Sequence, residues 1–234
     1  MSFDYRYLTA GDCGLVVEFG DLIDEKINAR VYLLAHLLTS MHFDGLWQIV
    51  PTYRSVLVLY DPFVVSKNKL VTIIDMKIAT EKIFFEEAAL PESSGTIQIP
   101  VCYGGELGPD LAHVAKHNNL SEQEVIDIHT RESYRVYMLG FLPGFPYLGG
   151  MDERIACPRL KIPRTVVPAG SVGIAGSQTG VYTVDSPGGW QLIGKTPLKI
   201  FAVEKERPFL INPGDNIIFK AIDEKTFAEL AVAK

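Results

Sequence analysis

A short basic segment near the middle of the chain carries the clearest candidates for binding an anion. The segment PRLKIPR contains Arg159 and Arg164, although the chain as a whole has a net charge of −6 at pH 7. A guanidinium group matches a carboxylate or phosphate with forked hydrogen bonds. Pro158 and Pro163 keep the segment extended and its side chains at the surface. The sequence predicts that Arg159 and Arg164 contact an anion, and the alternative is a solvated rim of charge.

Two loops rich in glycine, proline and aromatic residues flank this segment: GFLPGFPYLGG at 140–150 and SPGGW at 186–190. Glycine inside a helix or strand costs about 0.5–1 kcal/mol relative to alanine, and proline removes a backbone donor. Each loop alone is typical of a turn between strands. Together they favour a shaped surface, because loops on a rigid scaffold commonly carry function.

We assign the remaining candidate residues of this surface by type. Small and amide side chains are expected to orient a ligand, and they are Ser171, Gln178 and Ser186. Proline and aromatic side chains are expected to form the walls of a groove for a ligand or partner, and they are Pro143, Phe145, Pro146, Tyr147 and Trp190.

Several common catalytic patterns are absent from the sequence. GSVGIAG superficially matches a phosphate loop, but Pro168 precedes it and no helical pattern follows, which excludes a dinucleotide fold. The sequence has no Gly-x-Ser-x-Gly elbow, and its cysteines have no metal-site spacing. His113 and His117 lie one helical turn apart, but no third ligand is evident, so a solvated helix face is favoured over a metal site. His129 lies at the end of a predicted helix, where a cation is favourable. We therefore predict no metal site, and the sequence identifies no catalytic residue.

Composition restricts the class of protein. Hydrophobic residues make up 47% of the chain and charged residues 21%, which is sufficient for a globular core. The net charge of −6 argues against nucleic acid or an anionic membrane as the main partner. The N-terminus lacks the pattern of a signal peptide, and the apolar run YLLAHLL is too short to span a bilayer. These features predict a cytoplasmic protein.

The first part of the chain alternates strand and helix patterns. We predict a strand within Tyr5–Phe19, a helix at Glu25–Met41 capped by Asp24, strands at Leu46–Val50 and Ser55–Tyr60, and a helix at Lys67–Phe85. This order predicts a small ferredoxin-like α+β domain with one further short strand.

The second part begins after a linker, EEAALPESSG at 86–95, so we predict domains at 1–90 and 91–234. TIQIPVCY is a predicted strand, Gly108 and Pro109 begin a helix, and Ser121 with Glu124 forms a capping box for the next helix. Short apolar runs between Gly/Pro turns then predict a β-barrel or closed sandwich, and they are RVYML, GSVGIAG, GVYTV, WQLIG, LKIFAV and NIIFK.

Long stretches of the second part resemble a known family. VCYGGELGPDL, EVIDIHTRESYRVYMLGFLPGFPYLGG, PRLKIPRTVVPAGSVGIAGSQTGVY and SPGGWQLIGKTP resemble the B-subunit family of bacterial 5-oxoprolinase. This family is also called allophanate hydrolase subunit 1 and includes the inhibitor of a sporulation histidine kinase. The resemblance is dense over Ile97–Phe201. One departure is Tyr182–Thr183, where members commonly have Tyr-Pro.

The resemblance implies a cyclophilin-like β-barrel for the second domain, following the ferredoxin-like α+β domain. It implies one component of a hydrolase, inactive alone, that forms a carboxyltransferase-like pair with a homologous C subunit. A third component, the A subunit, works with this pair. The complex opens 5-oxo-L-proline to L-glutamate with ATP, and the B–C pair is thought to activate the lactam. The sequence does not show whether ATP contacts this chain.

The family leaves two alternatives open. The chain could instead be a regulatory protein that binds a sporulation histidine kinase through its barrel. It could also be half of a carboxyltransferase that acts on urea or another amide with biotin. In all three cases the function rests on the family resemblance and not on a residue whose chemistry is specific to one of them.

Overall fold

The computed structural model describes residues 4–87 and 95–232, and the chain divides into two compact units, Met1–Glu92 and Ser93–Lys234. Most of the predicted linker at 86–95 lies outside the described residues. Both units mix helices with β-sheet, so the mixed α and β character predicted from the sequence is confirmed.

The first unit is a four-stranded antiparallel sheet packed against helices. Its sheet order is β1-β2-β4-β3, so β2 and β3 run in the same direction with β4 between them. Buried aliphatic side chains from the sheet and from the two long helices form its core. Its elements are β1 (Arg6–Thr9), β2 (Gly14–Glu18), α1 (Glu25–Ser40), β3 (Leu46–Pro51), β4 (Ser55–Tyr60), α2 (Lys67–Thr80) and α3 (Lys82–Glu86).

The predictions for the first unit are confirmed in part. Asp24 caps α1 as predicted, because its side chain accepts from the amides of Lys26 and Ile27. The single strand predicted within Tyr5–Phe19 is instead a hairpin, β1 and β2. The helix predicted over Lys67–Phe85 is divided at Glu81, after the Thr80 hydroxyl bonds back to the Met76 carbonyl at 2.7 Å.

The second unit is a seven-stranded sheet that curls towards closure. The strand order is β10-β9-β12-β5-β13-β6-β7, and the two edge strands β10 and β7 contact each other. Strands β5 and β13 pair in parallel, whereas the other pairs are antiparallel. A separate two-stranded ribbon joins β8 to β11. The strands are β5 (Thr96–Tyr103), β6 (Tyr134–Leu139), β7 (Pro146–Gly149), β8 (Arg164–Val167), β9 (Ser171–Ala175), β10 (Gln178–Val181), β11 (Ser186–Gly188), β12 (Gln191–Lys195) and β13 (Asn216–Ala221).

Three helices accompany this barrel-like sheet: α4 (Leu111–His117), α5 (Glu122–Arg131) and α6 (Glu224–Val232). The predicted capping box at the start of α5 is confirmed, since Ser121 and Glu124 bond reciprocally to each other's amides. The strand predicted in LKIFAV is wrong, because only a bridge between Phe201 and Phe209 forms there. The Ala202 amide donates to the Pro208 carbonyl. Proline has no N–H, so it cannot donate the second hydrogen bond that would continue a strand pair.

Candidate ligand and partner site

The three segments singled out in the sequence meet at one pocket of the second unit. The pocket has a volume of about 150 Å³. GFLPGFPYLGG, PRLKIPR and SPGGW all contribute to its lining, together with Tyr182. The complete lining is Phe141, Phe145, Tyr147, Arg159, Tyr182, Gly188, Gly189 and Trp190. We call this the aromatic pocket.

The first segment forms the turn of the β6–β7 hairpin, in which Leu139 pairs with Pro146. The turn needs backbone conformations that favour glycine: Gly144 has φ +74°, and a Cβ built on it would lie 2.9 Å from the Phe209 ring. Phe141 also adopts a positive φ of 64°, and its side chain is 66% exposed. The turn therefore presents Phe141 at the rim of the pocket.

The other two segments are held together by hydrogen bonds. The Leu160 amide donates to the Gly189 carbonyl at 2.7 Å, and the Gln191 side chain donates to the Pro158 carbonyl at 2.8 Å. In the β8–β11 ribbon, Arg164 pairs with Gly188. These contacts fix PRLKIPR beside SPGGW, so that residues distant in sequence line one pocket.

The walls of the pocket are packed aromatic rings. The ring of Phe145 contacts Tyr147, Tyr182 and Trp190 edge-on, with ring centroids 5.4, 5.5 and 5.5 Å away. Phe145, Tyr182 and Trp190 are buried, at 1%, 1% and 7% exposure. Edge-to-face contacts of this kind stabilise a fixed arrangement of rings. The predicted wall residues Phe145, Tyr147 and Trp190 are thus together, and Pro146 is buried beside them at the start of β7.

Arg159 is the cation among the residues that line the aromatic pocket. It is exposed, and its guanidinium carbon lies 6.0 Å from the centroid of the Trp190 ring. Burial raises the pKa of Tyr147, and the positive charge of Arg159 acts in the opposite direction. Burial also raises the pKa of Tyr182. At neutral pH the pocket therefore combines one accessible positive charge with two neutral phenols.

Arg164 lies next to the pocket but is engaged within the chain. Its Nη2 donates to both carboxylate oxygens of Asp110 at 2.8 Å, and its Nη1 donates to the Trp190 carbonyl at 3.3 Å. Asp110 in turn accepts from the Leu192 amide at 2.6 Å. Direct contact of Arg164 with a ligand stays a prediction, and its geometry is that of a residue that positions Trp190.

The three predicted polar residues do not line the aromatic pocket. Ser171 is buried at the start of β9, and Gln178 is half-buried at the start of β10. Ser186 is 8% exposed in β11, and its hydroxyl has no hydrogen-bond partner among the described residues. Their role in orienting a ligand stays a prediction.

Thr183, which departs from the usual Tyr-Pro, fastens the turn that carries Phe141. Its hydroxyl donates to the Pro143 carbonyl at 2.7 Å. A proline at this position has no group that could form this bond. The departure from the family pattern thus adds a hydrogen bond between the loop that follows β10 and the GFLPGFPYLGG turn.

The structure corrects the expectation for His129, which is fully buried and does not act as a cation at a helix end. The Thr179 hydroxyl donates to the Gly173 carbonyl at 3.1 Å, so it accepts from Nε2 of His129 at 2.8 Å. The Nδ1 atom therefore accepts from the Tyr103 hydroxyl at 2.8 Å. Burial lowers the pKa of His129 to about 3, which keeps the ring neutral.

Two further properties bear on function. Within residues 4–87 and 95–232, no three or more His, Cys, Asp or Glu side chains form a group that could hold a metal ion. In the same residues, no helix combines the length and the apolar character needed to cross a membrane.

The comparisons with known proteins agree on a family. The carboxyltransferase domain, subdomain C and D, matches residues 5–211. The B subunit of 5-oxoprolinase from Bacillus subtilis (strain 168) is 47% identical over 233 residues, covering 97% of each chain. The protein of the same name from Escherichia coli O157:H7 is 40% identical over 214 residues, covering 92% of this chain and 94% of the relative.

A solved structure extends the comparison. A conserved uncharacterized protein from Pyrococcus horikoshii is 49% identical, covers 95% of this chain and 100% of its own, and superposes with a TM-score of 0.55. Similarity at this level over nearly the whole length indicates a common fold. The chain therefore belongs to the 5-oxoprolinase B-subunit family, and it matches the carboxyltransferase domain, subdomain C and D.

Proposed function

We propose that this chain is the B subunit of an ATP-dependent 5-oxoprolinase that opens 5-oxo-L-proline to L-glutamate. It works with a homologous C subunit, which shares in activating the lactam, and with an A subunit, and it is inactive alone. The observation that carries the proposal is the 47% identity to a protein named as the B subunit of 5-oxoprolinase, over 97% of both chains.

The size of the aromatic pocket supports a shared site. Its volume of about 150 Å³ is well below the roughly 300–1,000 Å³ of pockets that hold a small molecule unaided. Phe141 stands 66% exposed at its rim. A second protein surface laid over the rim buries Phe141 and enlarges the enclosed volume, which is the role we assign to the C subunit.

The chemistry of the lining suits the substrate proposed. 5-Oxo-L-proline is a small flat ring that carries a carboxylate, and activation of its lactam places further negative charge on the ring. The faces of Tyr147 and Trp190 suit the ring, and the guanidinium of Arg159 suits the carboxylate. A cation beside the pocket stabilises negative charge that develops during the reaction.

ATP enters this proposal only at the level of the complex. The phosphate chain and base of a nucleotide exceed the volume of the aromatic pocket, so we assign no nucleotide site to it. The residues that line it bind and orient the lactam, while phosphoryl transfer takes place with groups contributed by the assembled complex.

We further propose finer names for the two units and a cytoplasmic setting. In the first unit, α1 connects β2 to β3, and β4 lies between these two strands in the sheet. This arrangement supports a ferredoxin-like first domain, in which the fourth strand, β1, precedes the other three along the chain. The near-closure of the seven-stranded sheet supports a cyclophilin-like second domain. The three reduced cysteines suit a cytoplasmic setting.

The decisive experiment measures ATP-dependent release of glutamate from 5-oxo-L-proline by the purified chain mixed with its cognate A and C partners, and with each component omitted in turn. We expect turnover only in the complete mixture. Full activity without this chain overturns the proposal. No activity in a folded, stoichiometric complex of all three also overturns it, and carboxyl transfer and kinase binding then become the functions to assay.

A further inference from the structure

A second pocket of the barrel-like unit shares no lining residue with the aromatic pocket. It has a volume of about 270 Å³ and lies between the turn at Gly170, the end of β12 at Lys195, and helix α6. Thr196 and Lys199 also line it, and Phe227 closes its apolar side. We call it the lysine pocket.

Lys195 is a half-buried cation without a counter-ion. Its ammonium group has no hydrogen bond or ion pair with any residue in the described part of the chain. Asp185 is held at the same turn, but its carboxylate accepts from the Ala169 amide at 2.7 Å. A lysine can bury its hydrocarbon stem while its ammonium group stays in water, so an unpaired ammonium group beside a pocket is available to an anionic ligand.

The space beside the backbone of Gly170 is filled by the hydrocarbon part of the Lys195 side chain, which we call its stem. Gly170 has φ +84°, and a Cβ built on it would lie 2.6 Å from the Thr196 carbonyl and 3.6 Å from two carbons of the Lys195 side chain. The stem therefore lies along Gly170 and carries the ammonium group to the pocket. This packing restricts the position of the charge before any ligand binds, which reduces the entropy lost on binding.

Two other groups in the pocket are suited to an anion. The Thr196 hydroxyl accepts from the Leu198 amide at 3.2 Å, and its own hydrogen has no acceptor among the described residues. Thr196 is 2% exposed, so this hydrogen is a buried donor. Lys199 adds a second positive charge at the rim, where it pairs with the exposed Glu204.

The opposite wall of the pocket is apolar and is formed by α6. Phe227 and Ala231 lie one turn apart on that helix and both line the pocket. A ligand that fits has a compact anionic group at the lysines and a small uncharged body against Phe227.

We propose that the lysine pocket binds the phosphate group of a small molecule. An ammonium group acts as a point charge and is a common phosphate ligand, whereas planar carboxylates are matched better by the fork of an arginine. A phosphate in this pocket supplies a counter-ion for the ammonium group of Lys195 and acceptor oxygens for the Thr196 hydroxyl. This assignment stands on the geometry of the pocket and does not depend on the reaction proposed for the aromatic pocket.

The test is a titration of the full isotope-labelled chain with inorganic phosphate, followed by the amide NMR signals of Gly170 and Thr196, at ionic strength matched with chloride. We expect saturable shifts with a dissociation constant in the millimolar range. Lys195→Met keeps the stem and removes the charge, and it should weaken binding at least tenfold. Acetate, the carboxylate probe, should bind at least tenfold more weakly than phosphate.

Two variants separate recognition from a general effect of charge. Lys116→Met removes the same charge from the exposed side of α4 and should leave phosphate binding unchanged. Ala231→Trp fills the pocket from an exposed helix position without altering charge, and it should abolish the shifts. The absence of saturable shifts, equal binding of acetate, or unchanged binding by Lys195→Met would each overturn the proposal.

Discussion

Arg164 and Asp110 form a half-buried ion pair that joins β8 to the residue preceding α4. The Nη2 atom of Arg164 lies 2.8 Å from each carboxylate oxygen of Asp110, and the two side chains are 28% and 13% exposed. Asp110 also accepts from the Leu192 amide in β12. One carboxylate therefore holds β8, β12 and the start of α4 in register beside the aromatic pocket.

We expect this pair to stabilise the second unit. Arg164→Met and Asp110→Asn should each lower the free energy of unfolding by about 2 kcal/mol, because each leaves a partly buried charged or polar partner unpaired. The double variant should lose less than the sum, with a coupling of about 1 kcal/mol. Urea denaturation of the four proteins measures the cycle. Additive losses would show that the two side chains act independently.

Arg159→Ala should lower the activity of the assembled complex about tenfold or more, since the pocket loses its accessible positive charge. Arg159 is exposed, so the midpoint of urea unfolding should not change. The matched control is Arg154→Ala, an exposed arginine paired with Asp152 outside the pocket, which should retain full turnover. Equal activity of Arg159→Ala and wild type would remove Arg159 from the site.

Phe141→Ala should weaken association with the C subunit without affecting folding, because this ring is 66% exposed at the rim of the pocket. Trp190→Ala should weaken association as well, and it should also destabilise the chain by about 3–5 kcal/mol, since Trp190 is 7% exposed against Phe145. Calorimetric titration with the C subunit measures the association of both variants. Phe63→Ala, at a 99% exposed ring in the first unit, is the control, and a loss equal to that of Phe141→Ala would contradict a specific interface.

Acid should destabilise the second unit through His129. Because its pKa in the folded chain is about 3 and its ordinary value is about 6.5, the unfolded chain takes up a proton in this interval that the folded chain does not. The contribution of His129 to stability is complete above about pH 6.5. It is lost as the pH falls towards 3, by about 1.4 kcal/mol per pH unit.

The variant His129→Gln isolates this contribution, because an amide can still donate to Thr179 and accept from Tyr103. Between pH 6 and 4, the slope of the unfolding free energy against pH should decrease by about 1.4 kcal/mol per pH unit, which corresponds to one proton. An unchanged slope in His129→Gln would mean that the ring is protonated in the folded state.

The sequence alone determined the features that depend on neighbouring residues. The cap of α1 at Asp24, the capping box of Ser121 and Glu124, and strands such as β4 and β5 follow from local hydrogen bonding and apolar periodicity. The motif-rich stretches likewise indicated the family. The same stretches predicted that Phe145, Tyr147, Arg159 and Trp190 belong together, and they line one pocket.

Only the tertiary structure decided which polar groups are satisfied within the chain. Nothing local marks Asp110 as the partner of Arg164, 54 positions away, or Thr179 as the partner of His129, 50 positions away. These pairs form because the parallel pairing of β5 with β13 and the curling of the sheet bring distant segments together. Burial then sets the charge of His129 and leaves Arg159 accessible, since the cost of removing a charge from water depends on the surrounding fold and not on the residue type.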